Sequence, residues 1–172
     1  RLQLPDFDEQ PGAMPEIAPS PDYSATGSID RKFTERAMVL QAWGNYGTAW
    51  PVVHQQLGVR PDVGRGALEV VPQVPEGQSR VGGSAIRLGE AGEAAVQASR
   101  GDGRFTTLVQ VGAPITKLAI GHTLPAGSKI VSVELDGVAV TPQTRTTNRG
   151  LEVTVDTTAG THRLVVTAPQ RP

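Results

Sequence analysis

The sequence predicts a mainly β protein, an antiparallel β-sandwich preceded by a loop and a kinked helix. Glycine (20 residues) and proline (14) together approach a fifth of the 172 residues, and aromatic residues make up 4%. This composition favours many short strands joined by turns over a helical bundle. From about residue 67 onward, apolar and polar residues alternate with the period of a half-buried strand, and no helix-length apolar pattern interrupts them. A parallel α/β arrangement is therefore disfavoured.

Eight strands are predicted in the second part of the chain. Residues 151–155 show the pattern most clearly, because Leu and Val alternate there with Glu and Thr. Turns such as Gly101-Asp102-Gly103 and Asp136-Gly137 separate the strands, as they do in antiparallel sandwiches. The predicted strands cover residues 67–71, 85–88, 94–98, 105–111, 117–120, 129–135, 151–155 and 162–167.

The first part of the chain has a different pattern. Five prolines within residues 1–30 remove backbone donors and fix φ, so this stretch is predicted to be a loop. Apolar residues then recur at three- and four-residue steps over residues 30–57, which predicts an amphipathic helix. Pro51 lies inside that pattern and predicts a kink, while Gly58 predicts the end of the helix. Residues 59–66 are predicted to be a connector.

Charge and composition exclude several classes of function. Lysine and arginine number 16 against 17 acidic residues and are spread along the chain, so the basic patch that nucleic-acid binding requires is missing. No apolar run reaches the length of a membrane span, and no membrane partner is expected. The absence of cysteine excludes disulfides and thiolate metal sites. The first residues carry neither an initiator methionine nor a signal-peptide pattern, so the chain is expected to begin inside a longer protein.

The motifs of metal and nucleotide sites are also missing from the sequence. His54, His122 and His162 are far apart and show no metal-binding spacing, so no metal site is predicted. The glycines form neither a dinucleotide-binding motif nor a P-loop, and there is no nucleophile elbow. No cofactor is expected.

Glu16 is the candidate catalytic residue. Pro15 fixes the backbone before it, and apolar neighbours could desolvate the carboxyl group, which raises a carboxyl pKa toward the range of general acid–base catalysis. Further carboxylates lie nearby in the sequence at Asp6, Asp8 and Glu9, and glycoside hydrolysis uses two facing carboxyl groups. The alternative interpretation is that these are ordinary solvated side chains.

Residues 41–50 hold both tryptophans and one of the two tyrosines of this aromatic-poor chain. Flat rings beside amide groups can stack on sugar faces and bind their hydroxyls. The candidate substrate-binding residues are therefore Trp43, Asn45, Tyr46 and Trp50. The alternative is that these rings pack the helix against its neighbours.

Residues 37–72 resemble the exit from the catalytic barrel of bacterial six-hairpin (α/α)6 glycosidases, in their glucoamylase-like and α-L-rhamnosidase-like members. The resemblance rests on a helix rich in Trp, Gly and Thr that ends in Leu57-Gly58-Val59-Arg60-Pro61. In addition, Gly12-Ala13-Met14-Pro15-Glu16 is similar to the Gly-x-x-Pro-Glu stretch that carries the general base in glucoamylase-like members. That likeness implies that Glu16 is a general base.

The same resemblance implies an organisation for the chain. Residues 1–62 are expected to be the terminal loop and helix of an (α/α)6 catalytic domain, and residues 63–172 an accessory β-sandwich. A complete barrel needs more helices than this chain holds, so the expected partner is an upstream chain of the same precursor. The expected substrate is a carbohydrate, and the expected location is secreted or extracellular.

The sequence thus predicts the carboxy-terminal part of a glycoside hydrolase that acts on a poly- or oligosaccharide and needs an upstream chain for activity. One alternative is a non-catalytic β-sandwich module that binds carbohydrate or protein. Its weakness is that the β region offers Phe105 as its aromatic residue for stacking on a sugar. A purely structural sandwich is the third possibility.

Overall fold

The computed structural model describes Gly47, residues 49–112 and residues 115–169. Backbone contacts divide the chain into two compact units, Arg1–Pro51 and Val52–Pro172. The second unit contains every strand of the described residues, so the fold described below is the fold of that unit.

Two sheets form the second unit, and the chain is mainly β with a sandwich-like arrangement, as predicted. Eleven strands occur in the described residues: β1 (Val59–Asp62), β2 (Ala67–Val70), β3 (Arg80–Arg87), β4 (Glu93–Gly101), β5 (Arg104–Val111), β6 (Lys117–Leu124), β7 (Ser132–Leu135), β8 (Val138–Ala139), β9 (Gln143–Thr147), β10 (Gly150–Thr157) and β11 (Gly160–Thr167). The first sheet has the order β1-β2-β6-β10-β9, and the second sheet has the order β3-β4-β5-β11-β7-β8.

All eight predicted strands are present, although several begin or end at different residues. The structure adds β1, β8 and β9. The two residues of β8 and the first four of β9 are exposed, so neither strand has the alternation of apolar and polar residues on which the prediction relied.

Strand β1 lies where the sequence predicted a connector, and that prediction is wrong. Val59 is buried in the core while the next three positions are progressively more exposed. Pro61 is tolerated because β1 is an edge strand, where a missing backbone donor can face outward. Only the following residues, Val63–Arg65, form the expected irregular link, as a single 3₁₀ turn.

One strand pair departs from the predicted antiparallel arrangement. Strands β2 and β6 pair in parallel, whereas the other paired strands of the described residues are antiparallel. The chain leaves β2 for the second sheet, forms β3, β4 and β5 there, and returns to the first sheet as β6. This crossover places β6 at the centre of the first sheet, beside both β2 and β10.

The core lies between the inner faces of the two sheets. Alternation on β6 directs Leu118, Ile120 and Leu124 inward, and all three are almost completely buried. Leu164 and Val166 on β11 do the same from the second sheet. The core is therefore mainly aliphatic, with Phe105 as the aromatic residue among its described members, which agrees with the low aromatic content of the sequence.

The two predicted hairpin turns are confirmed. Asp102 and Gly103 have φ angles of 49° and 71°, and Asp136 and Gly137 have φ angles of 53° and 83°. Two consecutive positive φ angles define a type I′ turn, whose twist matches that of the flanking strands, and Asp-Gly is a preferred sequence for it.

The helical residues change geometry at Pro51. Ala49 and Trp50 are α-helical, and Pro51–Gln56 is a π-helix that ends with Leu57 N donating to Val52 O at 2.8 Å. A wider turn accommodates the missing proline donor. The helix ends as predicted at Gly58, which has a φ of 66° and would bring an added Cβ within 2.0 Å of Val71 O. The earlier part of the predicted helix lies outside the described residues.

A polar pair is buried in this aliphatic core. His122 on β6 is fully buried, and its Nδ1 lies 2.9 Å from Oγ1 of Thr107 on β5. The Thr107 hydroxyl donates its proton to Gly121 O at 2.8 Å, so Nδ1 of His122 must carry the proton that joins the two side chains. Nε2 is left with a bare lone pair and no partner among the described residues. Burial, assisted by the charges of Arg100 and Arg149, lowers the pKa of His122 to about 3.

We predict that His122 makes the fold sensitive to acid. In the unfolded chain a histidine titrates near pH 6.5, whereas the folded chain keeps His122 neutral down to about pH 3. The unfolded state therefore binds the extra proton, and the free energy of unfolding falls by about 1.4 kcal/mol per pH unit below 6.5. Urea unfolding at pH 7.5, 6.0 and 4.5 measures the pH dependence of the unfolding free energy for the wild type and for His122→Phe. This variant replaces the imidazole with an aromatic ring that does not titrate. Equal pH slopes in both proteins would refute the prediction.

Candidate functional site

Three arginines and two glutamates meet on the outer face of the first sheet. Glu152 comes from β10, Arg145 from the neighbouring β9, and Arg149 from the turn that joins them. Arg60 of β1 and Glu69 of β2 reach the same place on this face from the strands across β6. We call these five residues the arginine–glutamate cluster.

Glu152 is the centre of the cluster. Its side chain has no exposed surface, yet Oε1 accepts from Arg60 Nη2 at 3.3 Å and from Arg149 Nη1 at 3.1 Å, while Oε2 accepts from Arg145 Nε at 3.1 Å. Burial alone would raise the pKa of Glu152, but the hydrogen bonds and charges of Arg145 and Arg60 outweigh it, so that the pKa lies below its ordinary value. The carboxylate is therefore ionised and saturated with donors.

Arg60 and Arg145 also hold the second carboxylate. Arg60 and Glu69 are register partners on β1 and β2, and their side chains form an ion pair. Arg145 Nη2 donates to the Glu69 carboxylate at 3.2 Å. Each of these arginines thus bridges two glutamates, and Glu69 is fixed although about a quarter of its side chain is exposed (28%).

Arg149 joins the cluster to the end of the helix. Its side chain is 8% exposed, and Nη2 donates to Gln55 O at 2.6 Å and to Val71 O at 2.9 Å. Gln55 lies in the last turn of the π-helix, where carbonyl groups lack a partner within the helix. A second tie runs from Gln73 Nε2 to Arg149 O at 2.8 Å. Arg149 therefore fastens the helix end and the strand end to Glu152.

The cluster positions side chains and does not take part in a reaction. A carboxylate with donors on both oxygens, a lowered pKa and no exposed surface neither donates a proton nor contacts a substrate. What Glu152 does is hold three guanidinium groups in place. Within the described ranges no group of three or more His, Cys, Asp or Glu side chains is arranged to hold a metal ion. A search of the same residues for a helix long and apolar enough to cross a membrane also finds none.

A histidine–aspartate pair on the second sheet is also structural. His162 Nδ1 lies 2.8 Å from Asp136 Oδ2, and Nε2 lies 3.1 Å from Thr158 O. Arg163 N donates to Asp136 Oδ1 at 2.7 Å. These hydrogen bonds from His162 and Arg163 lower the pKa of Asp136. Because both ring nitrogens are engaged, the pair fastens the turn between β7 and β8 to β11 and presents no base to a substrate.

Of the site residues predicted from the sequence, Trp50 is described by the structure. It lies in the helical turn before Pro51, and 39% of its surface is exposed. The others lie outside the described residues: Glu16, Trp43, Asn45 and Tyr46. Their roles remain predictions.

Sequence reasoning missed the arginine–glutamate cluster. Glu152 stands at a polar position of an alternating strand, which the pattern assigns to solvent. A hairpin register built on the turn at Arg149 would have placed Arg145 opposite Glu152, and this pairing is observed. No sequence signal brings Arg60 and Glu69 to the same point, because they lie across β6 from Glu152 and reach it only through the fold.

The β-sandwich of the described region is similar to part of a larger solved protein. An α-L-rhamnosidase from Dictyoglumus thermophilum is similar to 69% of this chain with a TM-score of 0.54 and 10% identity. An α-L-rhamnosidase from Streptomyces avermitilis, solved with L-rhamnose, gives a TM-score of 0.47 and 18% identity over 73% of the chain. An uncharacterized protein from Listeria monocytogenes gives 0.40 and 11% over 59%.

These likenesses concern a small part of each large protein. The chain spans 13% of the Dictyoglumus enzyme, 11% of the Streptomyces enzyme and 10% of the Listeria protein. No protein-family model and no curated protein sequence matches the chain. The similarity to the Dictyoglumus enzyme shows a shared fold.

We predict that the cluster contributes more to stability than an exposed ion pair does. Arg149→Gln leaves the buried Glu152 carboxylate short of a donor and frees Gln55 O, which should cost about 3 kcal/mol of unfolding free energy. Arg65→Gln is the matched control, since Arg65 pairs with Asp62 at 2.9 Å on the open surface and its loss should change stability little. Guanidinium denaturation of both variants gives the comparison. Similar midpoints for the two variants would contradict the assignment.

Proposed function

We propose that this chain is the carboxy-terminal part of a bacterial glycoside hydrolase that acts on a poly- or oligosaccharide outside the cell. In this proposal the β-sandwich is an accessory domain that braces a catalytic (α/α)6 domain, and an upstream chain of the same precursor supplies most of that domain. The observation that carries the proposal is the similarity of the sandwich to part of an α-L-rhamnosidase. The resemblance of residues 37–72 to the exit from the barrel of six-hairpin glycosidases points to the same class.

The chemistry of the described residues supports an accessory role for the sandwich. Hydrolysis of a glycosidic bond requires two carboxyl groups that face the bond, one of them as an acid with a raised pKa. Glu69 and Glu152 are brought together in the arginine–glutamate cluster, but arginines bind both of them. We therefore assign the acid and the base to other parts of the assembled protein.

The proposed mechanism assigns the base to Glu16. Its carboxylate would take a proton from a water molecule as the water oxygen attacks the anomeric carbon, through an oxocarbenium-like transition state. The general acid on the upstream chain would protonate the leaving glycosidic oxygen. Trp43, Tyr46 and Trp50 would stack on sugar rings, and Asn45 would bind a hydroxyl.

Replacing Glu16 tests the catalytic assignment. In the assembled protein Glu16→Gln should lower kcat on the order of 10²–10⁴-fold, the usual contribution of a general base, with little change in KM. Hydrolysis of a panel of 4-nitrophenyl glycosides that includes the α-L-rhamnoside gives the rates, and circular dichroism checks folding. Glu76→Gln, the same change at an exposed turn of the sandwich, is the matched control and should keep its activity. Wild-type activity of Glu16→Gln would remove Glu16 from the mechanism.

Size exclusion followed by denaturing mass spectrometry tests whether this chain associates with an upstream chain. A tagged copy of this chain, expressed together with the coding region that precedes it, should elute from size exclusion with a larger chain of the same precursor. Denaturing mass spectrometry then identifies both chains and their ratio. A lone, folded species of 18.1 kDa would contradict the proposed partnership.

A further inference from the structure

The outer face of the first sheet carries an ordered array of charges beside the arginine–glutamate cluster. Four register partners form one row across β1, β2, β6 and β10: Arg60, Glu69, Ala119 and Asp156. Three more form the adjacent row on β1, β2 and β6: Asp62, Ala67 and Lys117. The two rows lie two residues apart on each strand and so share one face of the sheet.

The two alanines make this array a groove. Ala67 and Ala119 sit on the neighbouring central strands β2 and β6, and their methyl groups leave a floor between longer side chains on either side. The groove has a volume of about 540 Å³, within the ~300–1,000 Å³ range of small-molecule sites. With strands about 4.8 Å apart, the row from Arg60 to Asp156 is roughly 14 Å long.

The cluster holds one wall of the groove in place. Arg60 is bound by Glu69 and by the fully buried Glu152, and Glu69 is bound in turn by Arg145. Both groove-lining side chains still expose about a third of their surface, 32% for Arg60 and 28% for Glu69. They are therefore fixed and accessible, which removes much of the entropy cost of binding a ligand.

The opposite wall is exposed and polar. Asp156 accepts from Gln143 Nε2 at 3.1 Å through Oδ2, and Lys117 makes no ion pair within the described part of the chain. Donors and acceptors thus both border an apolar floor. A sugar hydroxyl both donates and accepts, and the C–H face of a pyranose ring suits a floor of methyl groups.

We propose that this groove binds a neutral saccharide. Asp62, Glu69 and Asp156 share the groove with Arg60 and Lys117. Arg65 and Arg145 pair with Asp62 and Glu69, so neither sign of charge dominates and an ionic ligand gains no strong net attraction. A neutral polyhydroxylated ligand satisfies both signs of charge. The proposal goes beyond an accessory role and is independent of the catalytic partner, because binding is measured on this chain without any enzymatic step.

The test is isothermal titration of the full 172-residue chain with maltohexaose, xylohexaose and methyl α-L-rhamnoside, and separately with hexagalacturonate and inorganic phosphate. At least one neutral saccharide should bind. Ala119→Leu fills the floor and Asp156→Asn removes an acceptor with little change in shape, and each should weaken binding at least tenfold. Ala95→Leu, the same change on the outer face of β4 in the second sheet, is the matched control and should bind as the wild type does.

Each other outcome overturns the proposal. Absence of binding to all three neutral saccharides removes the site, and binding of the anionic probes alone assigns the groove to anions. Binding that survives both groove variants, or that Ala95→Leu weakens equally, places the saccharide elsewhere. Asp156→Asn lies at an exposed position, so a folded variant is available even if Ala119→Leu is unstable, and thermal melting checks both.

Discussion

The ionised carboxylate of Glu152 is the constraint on which the first sheet depends. Withdrawing a carboxylate from water costs several kcal/mol, and the cost is offset only if charged donors surround it. Here the donors come from an edge strand, from the opposite edge strand and from a turn, through Arg60, Arg145 and Arg149. One buried group therefore fixes both edges of the sheet relative to its centre.

The same constraint extends to the end of the helix. Nη2 of Arg149 donates to Gln55 O and to Val71 O, so one guanidinium holds the last helical turn and the residue after β2 to the carboxylate. Gly121 on β6 lets the Val71 side chain pack closely against the sheet, because an added Cβ would lie 2.4 Å from Val153 O and 3.0 Å from Val71 Cγ2. The charge of Arg149 also helps to lower the pKa of His122 on the inner face of β6.

The polar groups of the sandwich thus divide by role. Glu152 and His122 are buried, and their protonation states are set by their surroundings, so both serve the fold. Arg60 and Glu69 each expose about a third of their side chain, and they line the groove on the outer face. A rigid sheet that carries fixed donors and acceptors suits recognition rather than bond cleavage.

The sequence by itself determined the class of the fold, the eight strands with alternating side chains, the two Asp-Gly turns and the helix end at Gly58, because each depends on neighbouring residues. It did not reveal β1, because Pro61 argues against a strand although an edge strand tolerates it. It also did not reveal the parallel pairing of β2 with β6. Only the tertiary structure decided that Arg60 and Glu69 join the cluster around Glu152. Arg60 and Glu152 are 92 positions apart, and the crossover through the second sheet brings them together. The alternating pattern assigns Glu152 to solvent, whereas the fold places it in a buried ion pair.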